Sequence, residues 1–223
     1  MTERRLLLVR HGVTDWNREG RFQGHLDPHL GEEGHAEAEL LGARLSADTE
    51  LRPARIISSS LARAAQTAEA IGHAAGVGVT RDPRLIEIGQ GEWEGRTHAD
   101  LADSDAARYA AWRRASGIKQ PPGGEEIAAV TRRVASLLAE LDAGAGAWAV
   151  CLVSHGGTLR IAARLLMGVD GVESWSLDVD NASLSVTTRV EGGWRLDRWN
   201  DTFHLLGRTD THVDEAEGQP LAL

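Results

Sequence analysis

Four apolar residues, Leu6–Val9, run unbroken and then stop at Arg10-His11-Gly12. Comparable short runs fall at Arg55–Ser58, Val77–Thr80 and Trp148–Val153. Brief runs of this kind suit strands buried on both faces. Between them the apolar spacing shifts to the helical period. Ala64, Ala68, Ile71 and Ala75 make one stripe, and Ile127, Val130, Val134, Leu137 and Leu141 make another. A third helix is predicted from Gly157 to Gly168, with Ile161, Leu165 and Leu166 turned inward. Later, Leu184–Val190, a Gly192-Gly193 turn and Trp194–Trp199 read as a β-hairpin. Strands separated by helices predict an α/β fold: a three-layer sandwich, its sheet mainly parallel, with helices on both faces and an antiparallel edge strand.

Two stretches interrupt this rhythm. Gly89–Glu125 carries Gly91, Gly95, Pro121, Pro122, Gly123 and Gly124 around a short helical patch, Leu101–Ala115. It reads as a loose cover lying over the site. From about Arg208 the residues are polar and acidic, so 208–223 is expected to be a loose tail behind one domain over 1–207.

Composition narrows the function classes. Hydrophobic content of 42% and charged content of 26% are those of an ordinary globular protein. The net charge of −9 argues against nucleic acid or an anionic membrane as partner. No apolar run approaches the roughly 20 residues that span a bilayer, and Leu6–Val9 is too short for a signal-peptide core. A cytoplasmic location is the default expectation. Cys151 is the lone cysteine, so no internal disulfide can form, and its apolar strand predicts a packing role.

The chemistry gathers where apolar runs end. Arg10 can grip a phosphate, His11 can attack one, and Gly12 lets the backbone turn beside them. After the second strand, Ser58-Ser59-Ser60 could cap a helix whose first turn holds Arg63; a solvated arginine is the plainer reading of that residue alone. Glu87 lies in the apolar stretch Leu85–Ile88 before a glycine-rich loop, where burial and a phosphate would raise its pKa and suit a general acid. Glu92 and Glu94 read as solvated, and Trp93 as a packing residue. Val150–Val153 ends in Ser154-His155-Gly156-Gly157, a second strand-end His-Gly pair, whose backbone N–H groups would face an anion. His25, His29 and His35 lack the company of cysteines and a ligand-like spacing, and read as surface histidines rather than metal ligands.

In combination these pieces resemble the histidine phosphatase superfamily, also called phosphoglycerate mutase-like. Arg10, His11, Gly12, Thr14 and Asn17 match its Arg-His-Gly-x-Thr-x-x-Asn opening. Ser59–Ala68 matches Ser-x-Leu-x-Arg-Ala-x-Gln-Thr-Ala, and Glu87, Gly91, Trp93, Glu94 and Gly95 match its acid-bearing segment. Ser154–Gly156 supplies its Ser-His-Gly. The resemblance implies that His11 is the nucleophile that becomes phosphohistidine and that Glu87 is the proton donor. It further implies that Arg10, Arg63 and His155 hold the phosphoryl oxygens, and that Asn17, Gln23, Gly24 and Gly156 line the pocket. The flanking arginines would keep His11 neutral, and with His155 they supply positive charge, so neither metal nor cofactor is expected.

Three activities suit that resemblance. The first is a phosphomonoesterase for small phosphorylated metabolites such as sugar phosphates or phosphoglycerate derivatives, closest to the broad-specificity branch. The second is a cofactor-dependent phosphoglycerate mutase. That reading is disfavoured because mutases resemble a longer chain with a tyrosine-glycine after the acid, whereas Glu87 is followed by Ile88-Gly89-Gln90-Gly91, and the cover is nearly balanced in charge. The third, a non-catalytic phosphate-binding protein, is ranked last because every site residue is present. The substrate itself, its contact with Arg96, Arg113, Arg114 or Lys119, and the oligomeric state, a homodimer included, stay open at this level.

Overall fold

The computed structural model describes residues 3–114, 120–144, 148–169 and 177–206. Six strands form one sheet: β1 (Arg4–Arg10), β2 (Arg55–Ser58), β3 (Val79–Arg81), β4 (Trp148–Ser154), β5 (Leu184–Val190) and β6 (Gly193–Asp201). Their order across the sheet is β3-β2-β4-β1-β5-β6. The first four run parallel, and β5 joins β1 antiparallel, with β6 antiparallel beyond it. The hairpin therefore contributes both of its strands to one edge.

Alternation along β1 builds both faces of the sandwich. Leu6 and Leu8 pack with Val130, Val134, Leu137 and Leu141 of α6 (Ile127–Ala143) and with Leu159, Ile161 and Leu166 of α7 (Gly156–Met167). Leu7 and Val9 pack on the opposite face with Leu41 and Leu45 of α2 (Glu32–Ala47) and with Ala64, Ala68 and Ile71 of α3 (Ala62–Ala75). Complete burial of such leucines stabilises the fold by about 1.5–3 kcal/mol each. Cys151 is part of the second cluster, and burial pushes its thiol up to about 12, as a packing residue requires. Among the described residues no helix is long and apolar enough to cross a membrane.

The register of the three central parallel strands decides where the site lies. Arg10 pairs with Ser154, and Ser58 pairs with Val153, so β1, β4 and β2 end level with one another. The ladder runs one residue further on either side of β4, through His11 N–H to Ser154 O (3.0 Å) and Ser59 N–H to Val153 O (2.9 Å).

The stretch after Glu87 differs from the loose cover its composition suggests. A short α1 (Asp15–Arg18) leads into Phe22, which forms a third apolar cluster with Trp93, Leu101, Tyr109 and Trp112. Leu101 lies in α4 (His98–Ser104), and Tyr109 and Trp112 lie in α5 (Ala106–Arg114). Phe22 and Trp93 meet edge to face at 5.6 Å between centroids. Here glycine means proximity. A Cβ on Gly91 would lie 2.3 Å from the carbonyl carbon of Gly123, so the two chain segments touch backbone to backbone. Lys119 and the acidic tail from Arg208 lie outside the described residues.

Candidate active site

Arg10, His11, Arg63, Glu87 and His155 are each no more than 7% exposed and meet at the level strand ends. His11 and His155 stand with ring centroids 5.1 Å apart. His11 Nδ1 lies 2.7 Å from the Gly12 carbonyl oxygen, which can only accept, so the proton sits on Nδ1 and the lone pair on Nε2. Burial, then Arg63, then Arg10, hold the His11 pKa well below its ordinary 6.5, against the opposing pull of that hydrogen bond. A neutral imidazole with an unprotonated Nε2 is a nucleophile.

His155 is held neutral by the same causes, burial foremost, with Arg63, His11, Arg10 and Arg133 adding to it. The positive charge of the site thus belongs to the arginines, not to His155 as the sequence suggested. His155 Nε2 and Ser59 Oγ share a hydrogen bond of 2.8 Å. His155 Nδ1, Arg63 Nε and Gln23 Oε1 are buried without hydrogen-bond partners among the described residues. An orphaned buried polar atom costs about 1–3 kcal/mol, and such atoms concentrate where a protein binds polar groups.

Arg63 enters from the second residue of α3. It donates to Leu26 O and Gly24 O, both at 2.9 Å, and burial lowers its pKa to about 10. The serines expected to cap α3 do not. The N-terminal residue Ala62 donates instead to Asp27 Oδ1 at 2.6 Å, so the 23–27 loop is tied to the same helix end. Arg10 donates to Val179 O at 2.5 Å and packs against Gly156.

Glu87 revises the expected use of the second His-Gly turn. Its carboxyl takes the α7 N-terminal donors itself: Gly157 N–H (3.2 Å) and Thr158 N–H (3.1 Å), with Thr158 Oγ (3.2 Å) and Ile88 N–H (2.9 Å) completing the set. A Cβ on Gly157 would fall 2.9 Å from Glu87 Oε1, so glycine is what lets the acid dock there. Glu94 is likewise not a solvated side chain, because its Oε1 accepts from His25 N–H (2.9 Å) and Gln90 N–H (3.0 Å). Gly24, at φ +49, leaves room for that carboxylate, which lies 2.2 Å from where a Cβ would stand.

The chain matches the histidine phosphatase superfamily (branch 1) over residues 6–202. It is a histidine phosphatase superfamily member. It is 38% identical over 226 residues to glucosyl-3-phosphoglycerate phosphatase of Mycobacterium tuberculosis H37Rv, covering 90% of this chain and 96% of that one. It is 35% identical over 201 residues to phosphoserine phosphatase 1 of Hydrogenobacter thermophilus, covering 90% and 94%. The solved structure of a mycobacterial glucosyl-3-phosphoglycerate phosphatase with VO3 superposes at a TM-score of 0.78 and 35% identity, covering 88% of this chain and 99% of that one.

Within this histidine phosphatase, Asn17 is committed to its own turn: Oδ1 accepts from Thr14 N–H at 3.0 Å and from Thr14 Oγ at 2.9 Å. The three histidines read as surface residues are all exposed. His25 bonds the Glu87 carbonyl, His29 meets Gln66, and His35 is exposed on α2. No cluster of acidic, histidine and cysteine side chains fit for a metal occurs among the described residues. Arg96 bonds Asp100 and Ser104 within the cover, and Arg113 lies over the Tyr109 ring.

Sequence reasoning missed two supports. Asn181 Nδ2 donates to His11 O at 3.0 Å, and Ala182 N–H donates to the same oxygen at 3.1 Å. Arg133, in α6, donates to the carbonyls of Arg84, Ile86 and Glu87 and to both oxygens of Glu125, holding the acid-bearing segment in place. Neither residue carries a local signal. Each is on an amphipathic helix or in a loop distant in sequence from the residue it holds.

Proposed function

We propose that this chain is a metal-independent phosphomonoesterase that works through a phosphohistidine on small phosphorylated metabolites, sugar phosphates or phosphoglycerate derivatives among them. The observation that carries the reading is His11: neutral, with Nε2 unprotonated, between two buried arginines. In this reading Nε2 attacks phosphorus while Arg10 and Arg63 balance the charge on the phosphoryl oxygens. Glu87, carrying a proton, gives it to the leaving alcohol and as carboxylate then draws a proton from the water that frees phosphate and His11. The relatives named as phosphatases support hydrolysis over mutase activity. So do the missing tyrosine-glycine after Glu87 and a cover with six acidic and five basic residues over Gly89–Glu125.

The test is a panel of phosphomonoesters assayed with and without 2,3-bisphosphoglycerate and with and without EDTA. Hydrolysis indifferent to both additions is expected. Faster conversion of 3-phosphoglycerate to 2-phosphoglycerate than hydrolysis of any ester would reverse the choice, and loss of activity in EDTA would reverse the metal-independent mechanism.

A further inference from the structure

Every residue of the catalytic cluster is buried, but one side chain bonded to it is not. His25 has a side chain 42% exposed. Its backbone is fixed on both sides, since Arg63 binds the carbonyls of Gly24 and Leu26. Its ring is fixed too, through Nε2 at 2.9 Å from the Glu87 carbonyl oxygen. That carbonyl can only accept, so Nε2 carries the hydrogen and, in the neutral ring, Nδ1 is an acceptor. Beside it stands Glu125, with Oε2 at 3.7 Å from His25 Nε2. A Cβ on Gly89 would lie 3.2 Å from the His25 ring and 3.4 Å from Glu125 Cβ, so both side chains flank the turn that comes after Glu87.

The cation that binds Glu125, Arg133, has no N–H to spare for a ligand. All five N–H bonds of Arg133 are used: two on Glu125 and three on the carbonyls of Arg84, Ile86 and Glu87. Toward a ligand, the His25–Glu125 rim presents acceptors and a carboxylate.

In the phosphomonoesterase reading Glu87 protonates the leaving oxygen, so the alcohol lies on the Glu87 side of the phosphate. Resting on that reading, we propose that His25 and Glu125 form a leaving-group subsite that accepts hydrogen bonds from hydroxyls of a polyol or sugar. His25 is the specificity-determining residue of the pair.

The experiment compares kcat/KM for glycerol 1-phosphate and n-propyl phosphate, which differ in hydroxyls alone, with p-nitrophenyl phosphate as a third ester. One retained hydrogen bond of about 1 kcal/mol makes a preference of roughly fivefold for the glycerol ester in the wild type. His25→Leu should bring the ratio close to one, chiefly through KM, whereas His25→Gln, which keeps an acceptor, should retain most of it. An equal rate on the two alkyl esters in the wild type would overturn the subsite however the variants fold, and so would an unchanged ratio in folded His25→Leu. Hydrolysis of p-nitrophenyl phosphate without that preference sinks the subsite alone. A wild type inert toward all three esters sinks the phosphatase reading and the subsite with it.

Discussion

His11 donates through Nδ1 to the carbonyl oxygen of its own neighbour, Gly12, across 2.7 Å. That bond selects the tautomer with Nε2 available, and burial beside Arg63 and Arg10 keeps the ring from taking a second proton. An NMR titration of the free protein should therefore show the His11 ring still neutral as the pH falls through 6.5. A midpoint at 6.5 or above would contradict the arrangement. His11→Ala should lower turnover by at least about a thousandfold, as loss of a covalent nucleophile does. Its melting temperature should stay near that of the wild type, because the residue is a strand-end group outside the apolar clusters. Retention of activity within tenfold would remove His11 as nucleophile.

Glu87→Gln keeps the shape of the acid but leaves it no proton to give. Esters of alkyl alcohols, poor leaving groups, should slow by about a hundredfold or more, and p-nitrophenyl phosphate far less, since its phenolate barely needs protonation. Equal slowing of both would assign Glu87 to binding instead. Gln at this position also brings an NH2 toward the α7 donors, so a thermal melt on the same sample separates loss of chemistry from loss of fold.

Four histidines should make the fold sensitive to acid. Burial foremost depresses His11 and His155 well below 6.5, and it brings His98 and His204 down to about 4. The unfolded chain binds protons at these sites from about pH 6.5 downward, while the folded one does not until lower pH. The unfolded state therefore holds more protons in that window, and stability falls as pH drops below 6.5. Each histidine contributes up to about 1.4 kcal/mol per pH unit within its window. Urea midpoints should be flat above pH 7 and decline steadily from pH 6.5 to 4.5. A midpoint constant across pH 7 to 5 would refute the neutral burial of these rings.

Gly34→Ala tests how the loop after His11 is seated. A Cβ on Gly34 would stand 2.1 Å from Val13 O, and one on Gly12 would stand 2.4 Å from Gly34 O. The segment after His11 therefore lies directly on the backbone of α2, where Val13 N–H also reaches Glu37 Oε2 at 2.7 Å. Forcing a methyl into that contact should cost about 1–3 kcal/mol of stability. It should also reduce kcat, because the displaced segment carries His11. Urea unfolding with a parallel turnover assay checks both, and a variant unaltered in each would show the contact to be looser.

Most of the elements and the candidate site residues were legible in the chain alone. Unbroken apolar runs and helical stripes identified four strands, the hairpin and helices α3, α6 and α7, because burial imposes a period on the chain that can be read locally. Arg10, His11 and His155 were legible for a related reason: they stand at the ends of apolar runs, where strands reach the rim of a sheet, whereas Arg63 and Glu87 stood out through the family's motifs. Strand register and close backbone approach emerged only once the chain was folded. The level ends of β1, β4 and β2 depend on Arg10 pairing with Ser154 and Ser58 with Val153. The N–H groups of Gly157 and Thr158 went to Glu87, the cap of α3 came from Asp27 instead of a serine, and the glycines of the cover packed backbone on backbone. In each case a polar or small residue could serve several partners equally well by its local sequence. Which partner it meets is set by the packing of α2 and α3 on one face and α6 and α7 on the other, and no local pattern encodes that choice.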